Sequence, residues 1–598
     1  MLRNYFKPLS IGGFLVFLTA CNPVTQSPPP PIVIGVSVTP SAAAVNLGQS
    51  IQFTALTADP IGVNWSVNGT TGGGSSSGTI DATGKYTAPS GTKNMLVTIK
   101  ATSNTDPTKM ATATLYAVPS GQVIATNNVQ VAQYTISLPP SAKVFVQFGI
   151  DTNYGLTTWT QPAPQNGGPV SLLVAGMRAN TLYHMPGVVQ FSDGTQLMDA
   201  DQTFVTGIPP TAQLPALTAT TTAGMTPQSG VELLSFIATN RTLKSGVAVT
   251  DLSGNVLWTY DPGLPAGVVA NPIKLMPNGH FLINFSNGQL AGANSVLQEV
   301  DLAGNLIWQM TAADLNNALA AATCAGCNIT VVGTHHDFAI LPNGHIIVLA
   351  ATHQIVTFVN VIGDVLIDLD QNHKPQWVWN AFDQLDINRR PYQYPDWTHS
   401  NAVIYSPDDG NLIVSVRHQS WLVKVNYANG AGAGDVLWRL GYQGDFTLVG
   451  GTDPTDWFYA QHGPSFVTPN TTGTFSLVLF DNGDNRIFAN GVLCDIPGTL
   501  PCLYSATPIL QLDEKNKTAT LAFNPITPGY SFFGGNAEVL GNGNVEFTES
   551  ATTFPANNAA IYEITQQAPP QTVWQMQVTG QYSYRGMRMP SLYPGVQW

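Results

Sequence analysis

The chain has 598 residues, with 35 acidic against 22 basic side chains and a formal net charge of −13. That balance lacks the basic footprint that a phosphate backbone requires, which excludes nucleic acid as a partner. One core is too few for this length, and a chain only 10% charged with 56 glycines and 43 prolines is expected to form many short strands joined by turns.

At the N-terminus, Arg3 and Lys7 precede an apolar run, Ile11 to Phe17, that is too short to span a bilayer as a mature helix. Leu18-Thr19-Ala20-Cys21 follows. Residues 1–21 thereby resemble a bacterial lipoprotein signal, which implies cleavage before Cys21 and lipidation of its thiol; an uncleaved anchor is the alternative. Both readings put the chain in the cell envelope, held to a membrane and facing the periplasm or the outer-membrane surface. The Pro-rich residues 22–32 suit an extended linker. The remaining cysteines, Cys324, Cys327, Cys494 and Cys502, are even in number, so two local disulfides are expected in an oxidising compartment. A CxxC metal site would need a second CxxC or a histidine pair at ligand spacing, and Cys494 and Cys502 do not supply one.

Residues 33–119 read as short alternating strands around a single tryptophan, Trp65, and resemble a bacterial immunoglobulin-like β-sandwich in which Trp65 anchors the core. Residues 122–207 form a second β unit. Its segment Leu173 to Tyr183 resembles the fibronectin type III pattern, in which a late tyrosine bonds back across a corner. Neither unit carries a constellation of reactive side chains.

Residues 212–598 repeat two elements. One is a strand ending in Asp-Leu-x-Gly-Asn-x-x-Trp, at Asp251 to Trp258 and Asp301 to Trp308, with looser copies ending at Trp379, Trp438, Leu521 and Trp574. The other is a strand feeding a turn, at Pro277, Pro342, Pro407, Pro469, Gly541 and Pro590. Six such units predict a six-bladed β-propeller, making the whole chain all-β, with two small β-sandwich domains ahead of it. The first Trp strand precedes the first turn strand, and no Trp strand follows the last, Met587 to Tyr593. The two chain ends should therefore complete one blade together, leaving no free sheet edge.

Counting back from the turns brings Asn271, His336, His399, His462, the Gly535/Asn536 pair and Arg585 to one level of the first strands, which line a propeller's channel. Three consecutive units present a histidine there, at intervals of 63 residues, in a chain with only ten histidines. By contrast His280 and His345 directly follow turns, where a solvated strand start explains them, and His184, His353, His373 and His418 have no repeat partner, so all six read as structural. Simple alternation sends His335 to the opposite strand face from His336. Arg417 joins the ring because Asn411 to Arg417 should run antiparallel to His399 to Tyr405. Three converging imidazoles suit zinc or another transition metal. A permanently charged guanidinium beside them opposes a cation and favours an anion, and Arg585 adds a second charge.

His336-Asp337, His399-Ser400-Asn401, Arg417 and Gln461-His462-Gly463 resemble the active-site motifs of the bacterial arylsulfate sulfotransferases, and the likeness extends over residues 212–598. The resemblance implies a periplasmic six-bladed propeller that moves a sulfuryl group from a phenolic sulfate ester to a phenol acceptor, with no nucleotide or other cofactor. It implies a ping-pong reaction through a sulfohistidine on His462. His336, His399 and Arg417 would stabilise charge or move protons, and Asn401 and Arg585 would bind the sulfate. The alternative is a non-enzymatic, lipid-anchored propeller that binds an anionic ligand or a protein partner.

Overall fold

The computed structural model describes residues 33–210, 214–239, 245–286, 295–488, 502–553 and 558–598. The signal, Cys21, the linker and Cys494 lie outside them. The described chain is all-β apart from short helices such as Ala312–Ala321.

Two compact units divide it, one over residues 33–90 and 95–117 and the other over Gly91–Asn94 and from Val118 onward. In the first, a five-stranded sheet containing Val63–Val67, Met95–Ser103 and Met110–Val118 and a four-stranded sheet containing Ser50–Gln52 and Lys85–Thr87 share one core. Trp65 sits in that core with Phe53, Tyr86 and Leu115.

The second unit starts with small sheets built on Ala132–Leu138 and Lys143–Phe148. Tyr183 Oη accepts the Arg178 N–H at 3.0 Å, the corner bond expected of it. Past this point, among the described residues, come six sheets of four or five strands, antiparallel except where Thr447–Val449 pairs in parallel with Thr518–Phe523. Their leading strands are Tyr582–Met589, Val269–Leu275, Gly333–Ile340, Ser400–Ser406, His462–Thr471 and Ala537–Val539. Each sheet touches the next, and the sixth touches the first. The strand expected at Met587 to Tyr593 instead spans Tyr582–Met589, and it pairs with Val231–Ile237 from the other end of this region. Ala216–Thr221 likewise adds an edge strand to the sixth sheet by pairing with Thr572–Thr579.

Turn chemistry explains the repeated motif. Asp251 Oδ1 accepts the N–H groups of Ser253 and Asn255, and Gly254 supplies the left-handed φ of 84° that closes the turn. The tryptophan then reaches out of its own sheet: Trp574 Nε1 donates to the Leu252 carbonyl and Trp258 Nε1 to the Leu302 carbonyl, both at 2.8 Å. One sheet's Trp thus caps the next sheet's Asp-Leu turn. Burying an indole is worth roughly 4 to 6 kcal/mol before entropy, so the motif fastens neighbouring sheets as well as ending a strand.

Within this unit the early sheets are tied to the later ones. Tyr593 Oη accepts the Ala175 N–H at 2.7 Å and donates to the Leu173 carbonyl at 2.8 Å, and Trp598 Nε1 donates to the Thr157 carbonyl at 2.8 Å.

Candidate active site

The leading strands are not regular where the histidines sit. Pairing register slips at Asn271-Pro272, at His335 to Asp337, at Asn401, at Gly463-Pro464 and at Tyr584. Such bulges re-aim side chains that regular pleating would send to alternate faces. His336 and His399 adopt left-handed φ values of 55° and 48° at this level, a conformation rarely tolerated outside constrained sites.

The bulges bring the histidines together. The His336 and His399 rings are 4.8 Å apart, and Tyr584 stands edge-on to both His336 (5.9 Å) and His462 (6.4 Å). Each imidazole is held differently through Nδ1. His336 Nδ1 meets His335 Nδ1 at 2.8 Å, His399 Nδ1 meets Asp396 Oδ2 at 2.5 Å, and His462 Nδ1 meets Asn482 Oδ1 at 2.6 Å. Alternation alone therefore misjudges His335. The bulge turns its ring onto His336 while Nε2 lies 3.2 Å from the buried Asp364 carboxylate.

The tautomer of His462 follows from the hydrogen-bond network. Asn482 Nδ2 donates to the Ser531 and Gly534 carbonyls, so its oxygen faces the imidazole and must accept from Nδ1–H. Nε2 then carries the lone pair, and the Gly534 N–H points at it from 3.2 Å. Burial, followed by the Arg417 charge, pushes His462 well below the ordinary histidine range. For His336 the causes are burial and then its neighbours His399 and His335. Both rings are neutral at physiological pH.

Arg417 follows directly on Asn411–Val416, and Val416 pairs with Ser400 beside His399, as the hairpin argument expected. Its guanidinium donates to His418 Nε2 at 2.7 Å, Asp484 Oδ2 at 2.7 Å and the Phe532 carbonyl at 3.1 Å. Burial pushes Asp484 up to about 6, against the pull of Arg417.

Two expected ligands behave differently. Asn401 lies at a bulge, so the two-residue spacing from His399 does not place them alike; it is fully buried, and its Nδ2 donates to the Gln461 carbonyl at 2.7 Å. The Arg585 guanidinium donates to the Asn401 carbonyl at 2.7 Å and pairs with Asp337 at 3.2 Å, a carboxylate that also holds Lys274. Both side chains are buried and bonded to groups of the protein itself.

The family model for arylsulfotransferase (ASST) matches residues 219–585. This chain belongs to the arylsulfotransferase family. No curated protein gives a significant match. Similar solved structures include a protein from Lactobacillus plantarum (13% identity, 75% of this chain and 99% of that one, TM-score 0.32). Others are an ICAM-5 D1–D4 ectodomain fragment (10%, 56% and 99%, TM-score 0.15) and the V. cholerae biofilm matrix protein Bap1 (14%, 62% and 68%, TM-score 0.18). Likenesses this weak carry no argument about the chain.

Several residues of this arylsulfotransferase were not found by reading its sequence. His418, read there as structural, stacks on His399 at 4.5 Å and on Tyr392 at 4.3 Å, and burial followed by His399 pushes it down to about 3. Its position next to Arg417 was the available signal. Asn482 and Asp484 lie in the polar run Asp481 to Arg486 that ends a buried strand, also a visible cue. Gly534, whose N–H meets His462, and Tyr530, whose Oη donates to Asp484 Oδ1 at 2.5 Å, had none, since both act on residues far away in the chain.

The metal reading finds little to hold an ion. Among the described residues, Asp396, His399 and His418 offer ligand atoms within 4.8 Å of one another. Yet His418 Nδ1 donates to the Asp396 carbonyl and Nε2 accepts from Arg417, so both nitrogens are occupied, one by a cation. A dication there would face the guanidinium across a single imidazole. Elsewhere Cys324 and Cys327 are disulfide-bonded to each other, and Cys502 is also in a disulfide.

Proposed function

We propose that this protein transfers a sulfuryl group from a phenolic sulfate ester to a phenolic acceptor, in two steps through a sulfohistidine on His462. The observation that carries the reading is the Asn482–His462 contact: a buried neutral imidazole with its proton fixed on Nδ1 presents Nε2 as a nucleophile beside Arg417. Nε2 attacks sulfur, the S–O bond to the aryl group breaks, and the phenolate leaves with a proton from a general acid. A phenol acceptor then gives its proton to the same group, its oxygen attacks sulfur, and the N–S bond breaks to restore Nε2. The transition state resembles that of phosphoryl transfer, loose and with charge on the peripheral oxygens, so the Arg417 guanidinium supplies most of the stabilisation.

We assign the proton transfers to His399. The Asp396 carboxylate on its Nδ1 orients the ring and offsets the charge it carries when Nε2 is protonated, whereas His336 has only another histidine there. The Gly534 N–H donates to Nε2 at 3.2 Å and must release that lone pair before Nε2 attacks sulfur.

On this reading the six sheets are the blades of a six-bladed β-propeller, supported by their succession and by the pairing of Tyr582–Met589 with Val231–Ile237. The immunoglobulin-like unit serves as a stalk, and a lipid on Cys21 holds the protein in the cell envelope, periplasmic or at the outer-membrane surface. The disulfide between Cys324 and Cys327 suits that oxidising compartment.

Incubation with a sulfur-labelled chromogenic aryl sulfate tests the proposal. Phenol release and label on His462, lost in His462→Ala, are expected. Failure to release phenol or to label any histidine overturns it in favour of a binding protein.

A further inference from the structure

Tyr392, whose ring stacks on His418, has a second role. It also lines a cavity of about 350 Å³ together with Arg389, Arg390, Tyr442, Tyr459 and Asn485. That volume lies in the range of small-molecule sites.

We propose that this cavity is a second binding site, for a monocyclic aromatic anion, separated from the histidine cluster by the Tyr392 ring. Three tyrosines supply aromatic walls for a ring to pack against. Two guanidinia supply the charge, and among the described residues neither lies in ion-pair range of a carboxylate. Arg389 is spread over the Trp421 ring at 3.8 Å and donates to the Gln419 carbonyl and side chain at 2.7 and 2.9 Å. These contacts orient the guanidinium without neutralising it. Arg390 is exposed at the rim over Tyr394, at 5.0 Å.

A planar, always-charged guanidinium beside aromatic rings matches a sulfonate, sulfate or carboxylate carried on an aromatic ring. The backbone at the cavity is also unusual. Ser420, Gln443 and Asn485, all lining it, take left-handed φ values of 50°, 59° and 58°. Non-glycine residues keep that conformation only where the surroundings enforce it, and such positions gather at ligand sites. The inference concerns binding alone and does not depend on chemistry at His462.

The probe is benzenesulfonate, whose C–S bond is not transferred, titrated calorimetrically into the full chain. Two classes of site are expected in the wild type. Arg390→Glu and, independently, Ile487→Trp, which fills the cavity from an exposed position at its lining, should each weaken one class at least tenfold. Arg417→Ala should leave that class intact and weaken the other. No binding in the wild type, or binding that Arg390→Glu and Ile487→Trp both leave unchanged, overturns the proposal. Labelling of His462 by aryl sulfate is read separately, so the cavity can fail while the transferase reading stands, and the reverse.

Discussion

Asn482 Oδ1 sits 2.6 Å from His462 Nδ1, and its amide nitrogen is tied to two carbonyls of one loop, Ser531 and Gly534. A neutral side chain thus does what a carboxylate does for many catalytic histidines: it selects the tautomer. A neutral amide favours the protonated ring less than a carboxylate would, so burial keeps His462 neutral and Nε2 keeps its lone pair, which the Gly534 N–H meets at 3.2 Å.

Replacing Asn482 tests this. Asn482→Ala should lower kcat for aryl sulfate turnover on the order of 100-fold, because the ring loses both its tautomer and its anchor. Asn482→Asp should retain more activity while moving the acid limb of the pH profile to higher pH, since a carboxylate favours the protonated imidazole. Unchanged turnover in Asn482→Ala, or an unmoved pH profile in Asn482→Asp, would contradict the assignment.

Arg417 is engaged by His418, Asp484 and the Phe532 carbonyl in a fork that a lysine cannot reproduce. Arg417→Lys should keep the charge and still lose about 10² to 10³ in kcat, some 3 to 4 kcal/mol, by steady-state kinetics. A loss below fivefold would show that charge alone suffices.

Glu549 bears on stability. It is fully buried near the loop that covers His462, accepts the Gly529 N–H at 2.7 Å, and burial pushes it up from 4.5 to about 7. Between these values the folded chain keeps a proton that the unfolded chain has lost. The sign is that stability falls as pH rises from about 4.5 to 7. At about 1.4 kcal/mol per pH unit the contribution is bounded at ~3.5 kcal/mol. Denaturant midpoints at pH 5 and pH 8 should converge in Glu549→Gln by that share of the wild-type difference. An identical difference in wild type and variant would refute it.

Arg588, on the strand that joins the two ends of the region, pairs with Glu232 in its own sheet and with Glu546 and Glu563 in the sixth, the last two at 2.9 and 3.1 Å. Arg588→Met leaves buried carboxylates without their cation, and a loss of about 3 to 5 kcal/mol is expected by denaturant unfolding. Arg588→Met combined with Glu546→Gln should recover part of it. No recovery would place the cost in packing instead.

Much of this was legible along the chain. The Asp-Leu-x-Gly-Asn-x-x-Trp motif marks its own turn through local bonds from Asp251 to Ser253 and Asn255. The spacing of His336, His399 and His462 matches the spacing of the sheets because each repeat forms one sheet. The bonds that hold Asn401 to the Gln461 carbonyl and Arg585 to the Asn401 carbonyl had no signal along the chain. The alternation that sent His335 away from His336 fails where register slips, and bulges leave only a weak trace in sequence.

By itself, then, the amino-acid order determined an all-β chain, a repeating sheet unit, three histidines at a common level and a C-terminal strand that pairs back with the N-terminal part of the repeat region. Alternation, turn residues and repeat length are all properties of neighbours in the chain. Tertiary structure alone decided which nitrogen of His462 carries the proton, that Tyr584 stands beside its ring while His418 stacks on His399, and that Gly534 meets Nε2. Gly534 lies 72 residues from His462. Contacts between separate sheets depend on how bulged strands pack in three dimensions, and no periodicity along a single strand encodes them.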